Sequence, residues 1–167
     1  MKKLITPLLL LSSFSSFANT VYVSPDLRVG PYFGSGISGG GLHLGLTNTL
    51  GLDAVYLSYS HISAEYITDR DRLKTYRLGT QYNFESAPDI GVQFEMGVVD
   101  YQGTRTILSN TRERDGTGIS GAFAWTLNVS DQLGFRAGMD LNYIDRHKTF
   151  LSSHLSTSLN LGVTLRF

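Results

Sequence analysis

The sequence predicts an all-β fold, an eight-stranded antiparallel up-and-down transmembrane β-barrel. Three observations carry this prediction. From Leu155 to Phe167 the chain alternates, with Leu155, Leu159, Leu161, Val163, Leu165 and Phe167 on one side and Thr157 among them. Ser156, Ser158, Asn160, Gly162, Thr164 and Arg166 take the other side, a period of two that belongs to a strand with unlike faces. Six further segments repeat that pattern, separated by short turns that exchange with longer, charged connections. Beyond the first eighteen residues no apolar run reaches the length of a membrane helix, so any crossing is by strands closed on themselves.

The N-terminus reads as an export leader. Met1-Lys2-Lys3 is basic, Leu4 to Leu11 is mostly apolar, and Ser16-Phe17-Ala18 has the small-x-small pattern of a cleavage site. The expected division is a signal peptide over 1–18 and one barrel domain over 19–167. The first strand falls between Thr20 and Phe33, where Pro25 and Pro31 each remove a ladder donor, and Gly34 to Gly40 is its loop. Gly41 to Leu46 sets Leu42, Leu44 and Leu46 against His43 and Gly45, and borrows length from the glycines before it. A turn is expected at Thr47-Asn48-Thr49. Leu52 to Tyr66 follows with two competing parities, Val55-Leu57-Tyr59 or Leu52-Ala54-Tyr56, which a β-bulge would reconcile.

Asp69-Arg70-Asp71-Arg72 reads as a charged loop. Leu73 to Phe84 then places Tyr76, Leu78, Tyr82 and Phe84 opposite Thr75, Arg77, Gly79, Gln81 and Asn83. A turn at Glu85 to Asp89 contains Pro88. Ile90 to Tyr101 opposes Val92, Phe94, Met96 and Val98 to Gly91, Gln93, Glu95 and Gly97. A long polar loop is expected from Gln102 to Gly116. Thr117 to Val129 and Leu133 to Tyr143 alternate again across a turn at Ser130-Asp131-Gln132. Asp145-Arg146-His147-Lys148 makes the last charged loop.

Composition narrows the function. The chain has no cysteine, which excludes disulfides and thiolate metal sites. Loss of Lys2 and Lys3 from fourteen Lys+Arg leaves twelve against fourteen Asp+Glu, and that balance gives no reason to expect nucleic acid. His43, His61, His147 and His154 are scattered, and Gly39-Gly40-Gly41 leads into a strand, not a helix. No cofactor or metal is expected.

Alternation alone does not say which face looks outward. A soluble periplasmic ligand-binding barrel would place its apolar face inside. Three features favour the inverted arrangement. The polar face is rich in small residues, it carries mixed charges within strands, and Phe84, Tyr82, Phe167, Tyr76 and Tyr143 recur near strand ends on the apolar face. A terminal aromatic preceded by alternating apolar residues, Leu165 and Phe167 at its end, resembles the assembly signal of outer-membrane β-barrels. The whole mature chain is similar to small eight-stranded outer-membrane barrels, the outer membrane protein A transmembrane domain and the Ail-like proteins. That resemblance implies residence in a bacterial outer membrane and a structural or adhesive role. The expected partners are outer-membrane lipid and lipopolysaccharide, the barrel assembly machinery and a host surface, with the barrel a monomer.

Two groups of charges are candidate sites. Arg77, Glu95, Arg136 and Asp140 face the lumen, which in an eight-stranded barrel is only wide enough for side chains to fill. Charges there must pair, and they would plug the passage. Arg70, Arg72, Arg105, Arg112, Arg114, Arg146 and Lys148 would ring the outer rim, where guanidinium groups suit lipopolysaccharide phosphates. An enzymatic alternative rests on His154-Leu155-Ser156, which resembles the lipid A 3-O-deacylase barrels. Thr157 stands where that family has Asn, and no acid is evident to orient His154. The assembly reading is tested by deleting Phe167: outer-membrane recovery should fall and degraded or periplasmic chain accumulate, whereas unchanged recovery removes the role assigned to the terminal residue.

Overall fold

The computed structural model describes residues 20–32, 36–66, 69–107 and 110–167. The expected signal peptide lies outside the described residues. Eight strands follow in order: β1 (Val21–Val29), β2 (Ile37–Thr49), β3 (Leu52–Tyr66), β4 (Asp69–Phe84), β5 (Ala87–Ile107), β6 (Asn110–Asn128), β7 (Leu133–Ile144) and β8 (Leu155–Arg166). Each pairs antiparallel with the next, and β8 pairs with β1 to close the barrel. Closure leaves no unpaired sheet edge, the condition a sheet must meet to cross lipid.

Closure reaches the terminal residue. Phe167 and Val21 exchange two backbone hydrogen bonds of 3.0 Å, so the last aromatic is fixed to the first strand. Pro25 lies inside β1 and keeps its place opposite Leu42 of β2. On the β8 side the pairing passes from Val23↔Leu165 to Asp26↔Gly162 in one register, skipping Ser24 and Pro25. The missing proline donor is thus absorbed as a local gap in the seam.

The outward faces are apolar on every strand. Leu57, Met96, Ile119 and Leu161 are 67, 80, 68 and 66% exposed. A soluble barrel would bury these residues, so the soluble reading is overturned: the barrel is inverted, with the Leu/Val/Phe face turned to lipid. Aromatic contacts mark both ends of this face. Tyr59 and Tyr76 pack at 5.3 Å toward the long loops, and Phe84 meets Tyr82 and Trp125 toward the short turns.

Several local expectations are corrected. β3 needs no bulge, because its register to β2 and β4 is continuous, with Val55, Leu57 and Tyr59 outside and Ala54, Tyr56 and Ser58 inside. The β2–β3 hairpin turns at Leu50 and Gly51, both at positive φ (58° and 76°), and not at Thr47–Thr49, which belongs to β2. Paired positive φ is the backbone that matches strand twist in a two-residue hairpin. Asp69–Arg72 belongs to β4, and Ile37–Gly40 to β2, while 34–35 of that expected loop lie outside the described residues. The expected polar loop from Gln102 to Gly116 is strand: Gln102↔Asp115 through Ile107↔Asn110 continue the β5–β6 ladder, and β4 stays paired to β5 as far as Asp69↔Arg105, so this side of the wall rises as a sheet. Charge frequency misled there, since this part of the wall meets water outside and the polar cap around Asp71 inside, and needs no apolar alternation.

Lipid exposure is depth-dependent in its cost. Leu161→Arg and Met139→Arg should each lower the unfolding free energy in bilayers by about 2–4 kcal/mol if near the midplane. Chemical unfolding followed by tryptophan fluorescence measures this, and wild-type stability in both would contradict the inverted arrangement.

Candidate functional site

The inward faces of the strands form three layers. At the short-turn end Tyr22 stacks on Tyr56 with ring centroids 5.2 Å apart. The Gln93 amide donates to the Tyr22 hydroxyl (2.7 Å) and to Gln81 Oε1 (2.9 Å). The Tyr56 ring crosses the lumen directly over Gly79, where a Cβ would stand 2.3 Å from a ring carbon. Any larger residue at that position would displace the ring.

The middle layer is ionic. Three arginines, Arg28, Arg77 and Arg136, meet three carboxylates, Asp26, Glu95 and Asp140, all with side chains within 1% of complete burial. Glu95 is the hub. Its Oε1 lies 3.1 Å from Arg136 Nη2, 3.0 Å from His43 Nε2 and 3.4 Å from the Tyr56 hydroxyl. Its Oε2 accepts from Ser58 (2.8 Å) and Arg77 (3.2 Å). Asp140 accepts from Arg77 (2.8 Å), Ser158 (2.9 Å) and Asn160 (3.4 Å), and also pairs with Arg28. Arg28 grips Asp26 through both carboxylate oxygens, each at 2.9 Å. His43 sits between Asp26, Glu95 and Arg136, with Nδ1 2.8 Å from the Ser24 carbonyl. The three guanidiniums and three carboxylates balance in charge.

At the long-loop end the lumen turns apolar. Ile62, Leu73, Val99, Tyr101 and Ile144 pack together, and Leu151 of the last loop covers them. Above them lies a polar cap. Asp71 accepts from the hydroxyls of Tyr32 (2.6 Å) and Tyr101 and from Arg105 (2.7 Å). Burial and the bond to Asp71 push the Tyr32 hydroxyl up to about 12, so it stays a donor at neutral pH. Arg105 and Arg114 both lie over the Phe150 ring, at 4.9 and 4.6 Å, and Arg114 also donates to the Thr149 carbonyl. Residues of the β1–β2 and β7–β8 connections therefore meet the upper ends of β4, β5 and β6 over the mouth.

The four lumen charges read from the sequence come together, with partners more mixed than strand neighbourhood suggests. Arg77 reaches both Glu95 and Asp140, and Arg136 reaches Glu95. Sequence reasoning missed Asp26, Arg28 and His43. The alternation Tyr22-Ser24-Asp26-Arg28 could have exposed the first two, but Pro25 obscured the parity of that strand. The rim residues separate. Arg70 pairs with Glu65, Arg105 and Arg114 are used in the cap, and Arg72 projects outward from β4. Arg112, Arg146 and Lys148 are exposed, with no carboxylate within 4 Å among the described residues.

His154 and Ser156 do not meet. His154 stacks on the outward-facing Tyr143 at 5.7 Å, while Ser156 is buried on the lumen side. An acid does stand near His154, with Asp145 Oδ1 4.0 Å from Nδ1, but that nitrogen accepts the Arg146 backbone N–H (3.1 Å). Leu165 lies in the seam opposite Val23, and Phe167 is exposed beyond it.

This architecture has counterparts among solved structures. Ail, the attachment invasion locus protein of Yersinia pestis, superposes with a TM-score of 0.65 at 9% identity, over 89% of this chain and 97% of that one. Ail in complex with the heparin analogue sucrose octasulfate gives 0.60 at 12% identity over the same shares. The N-terminal β-barrel domain of Pseudomonas aeruginosa OprF gives 0.57 at 16% identity, again over 89% and 97%. The fold is therefore that of the eight-stranded outer-membrane barrels. No protein-family model and no curated protein sequence matches the chain.

Removing the hub should expose how the ionic layer is held. Glu95→Gln leaves Arg77 and Arg136 short of charge in a buried site, and should destabilise the barrel by about 3–5 kcal/mol. Chemical unfolding checks this, with Arg112→Ser as a surface control changing stability by less than about 0.5 kcal/mol. Equal behaviour of the two variants would show that the lumen charges do not hold the barrel.

Proposed function

We propose that this protein is a monomeric, integral outer-membrane barrel with its lumen closed to passage, acting through its outer loops as a contact surface for anionic saccharides. Outer-membrane residence is supported by the inverted faces and by the likeness in fold to Ail and OprF. The closed lumen rests on the stacking of an aromatic, an ionic and an apolar layer beneath a loop cap. The final strand, fixed to β1 at Phe167, suits recognition by the assembly machinery.

The contact role rests on one observation above others: the loops commit Asp69 and Asp71 to the cap and leave Arg112, Arg146 and Lys148 facing solvent. Guanidinium groups bind sulfate and phosphate oxygens in pairs, which suits host polysaccharides. The complex of Ail with a heparin analogue offers a precedent within the fold. In planar bilayers the wild type should show no sustained current, and a stable conducting state would refute the closed lumen. Retention on immobilised heparin should fall about tenfold in Arg112→Ser/Lys148→Ser, and unchanged retention would refute the contact role.

A further inference from the structure

We infer that the outward face of β3, β4 and β5 is a binding site for one phosphorylated lipid of the outer leaflet, with the chemistry of lipid A. The inference rests on the outer-membrane reading above. Four successive rows of the sheet build the site. Leu57, Leu78 and Met96 stand side by side in register; one step toward the loops come Tyr59, Tyr76 and Val98; then His61, Lys74 and Asp100; then Ser63, Arg72 and Gln102. All project from the outer wall, so the face passes from apolar to aromatic to cationic as it rises.

The lower part is a groove, not a flat wall. Leu42, Leu44, Leu57, Leu78, Met96 and Val98 line a cavity of about 570 Å³, open to the lipid side. Its upper end is closed by the Tyr59–Tyr76 pair. A groove at this depth on a lipid-facing wall suits an acyl chain, and tyrosines at the interface suit the boundary between chain and headgroup.

The upper part supplies charge. Lys74 and Arg72 make no ion pair with any carboxylate among the described residues, although Asp100 faces Lys74 across the ladder. Arg70, one step higher, is neutralised by Glu65. At the membrane boundary an unpaired guanidinium and ammonium attract anions, and lipid phosphates are the anions at that depth. The neighbouring rows carry the opposite sign, with Asp115 and Glu113 opposite Gln102 and Thr104 on β6. The phosphate is thereby directed to the β3–β4 side, directly above the groove. Groove, tyrosine pair and cations lie on the same strands in the order that an amphiphile presents them.

The test uses the full-length mature barrel in maltoside micelles, titrated with bis-phosphorylated lipid A, with the same lipid dephosphorylated, and with inorganic phosphate. Heat-modifiable gel mobility confirms that each variant is folded. Lipid A should raise the wild-type unfolding midpoint, the dephosphorylated lipid should need about tenfold more for the same shift, and inorganic phosphate should have no effect. Arg72→Gln/Lys74→Gln should erase the preference for the phosphorylated form. Met96→Trp, which fills the groove, should weaken both lipids alike. The inference is overturned if Arg72→Gln/Lys74→Gln responds like the wild type, or if inorganic phosphate alone reproduces the shift. Recovery of the wild type outside the outer-membrane fraction would instead refute the residence on which the site depends.

Discussion

Six formal charges lie buried inside the barrel, and the structure depends on their mutual neutralisation. A carboxylate or guanidinium moved from water into such a space loses several kcal/mol of hydration. The loss is offset only if every charge finds opposite charge and hydrogen bonds nearby. Here Glu95 has two guanidiniums, a histidine and two hydroxyls around it, and Asp140 has two guanidiniums, a serine and an asparagine. These partners come from β1, β2, β3, β4, β7 and β8, so no single hairpin can satisfy them. The network forms only when the barrel is closed.

That requirement orders the rest of the molecule. Alternation with a period of two sends the opposite residues of the same strands to lipid, and so the polar lumen and the apolar belt are one sequence pattern seen from two sides. The ionic layer needs shielding at both ends. Tyr22 and Tyr56 provide it toward the short turns, and the cluster around Leu73 and Ile144 toward the loops. Asp71 then ties the loop ends together, and the cations left over face solvent or the membrane boundary.

Much of this was legible in the sequence, for physical reasons that differ by element. Most of the later strands announced themselves because each contrasts a lipid face with a lumen face, as at Phe94-Glu95-Met96, whereas in β3 two parities competed. The final strand was clearest because its aromatic end anchors closure. β1 was obscure because Pro25 suggests a break, whereas the seam tolerates one missing donor. The extension beyond Tyr101 was invisible because polar surroundings on both of its faces remove the apolar alternation. The apolar outer layer was hidden by its parity: Ile62, Leu73, Val99 and Ile144 sit at lumen positions, where the rest of each strand is polar. His43 was placed on the inward face, but only the fold brings it to Asp26, Glu95 and Arg136. Which loop charges are spent in the cap is likewise a property of tertiary contact, since Arg105 and Arg112 are direct cross-strand neighbours with different fates.

The central claim is that these charges stabilise the barrel through one another and not as independent fillers of space. A double-mutant cycle on Glu95 and Arg136, using Glu95→Gln, Arg136→Met and the double variant, measures that directly from unfolding free energies in a bilayer. The account predicts that the double variant is far less damaged than the sum of the singles, with a coupling of about 1–3 kcal/mol. Additive losses, with coupling under about 0.5 kcal/mol, would contradict it.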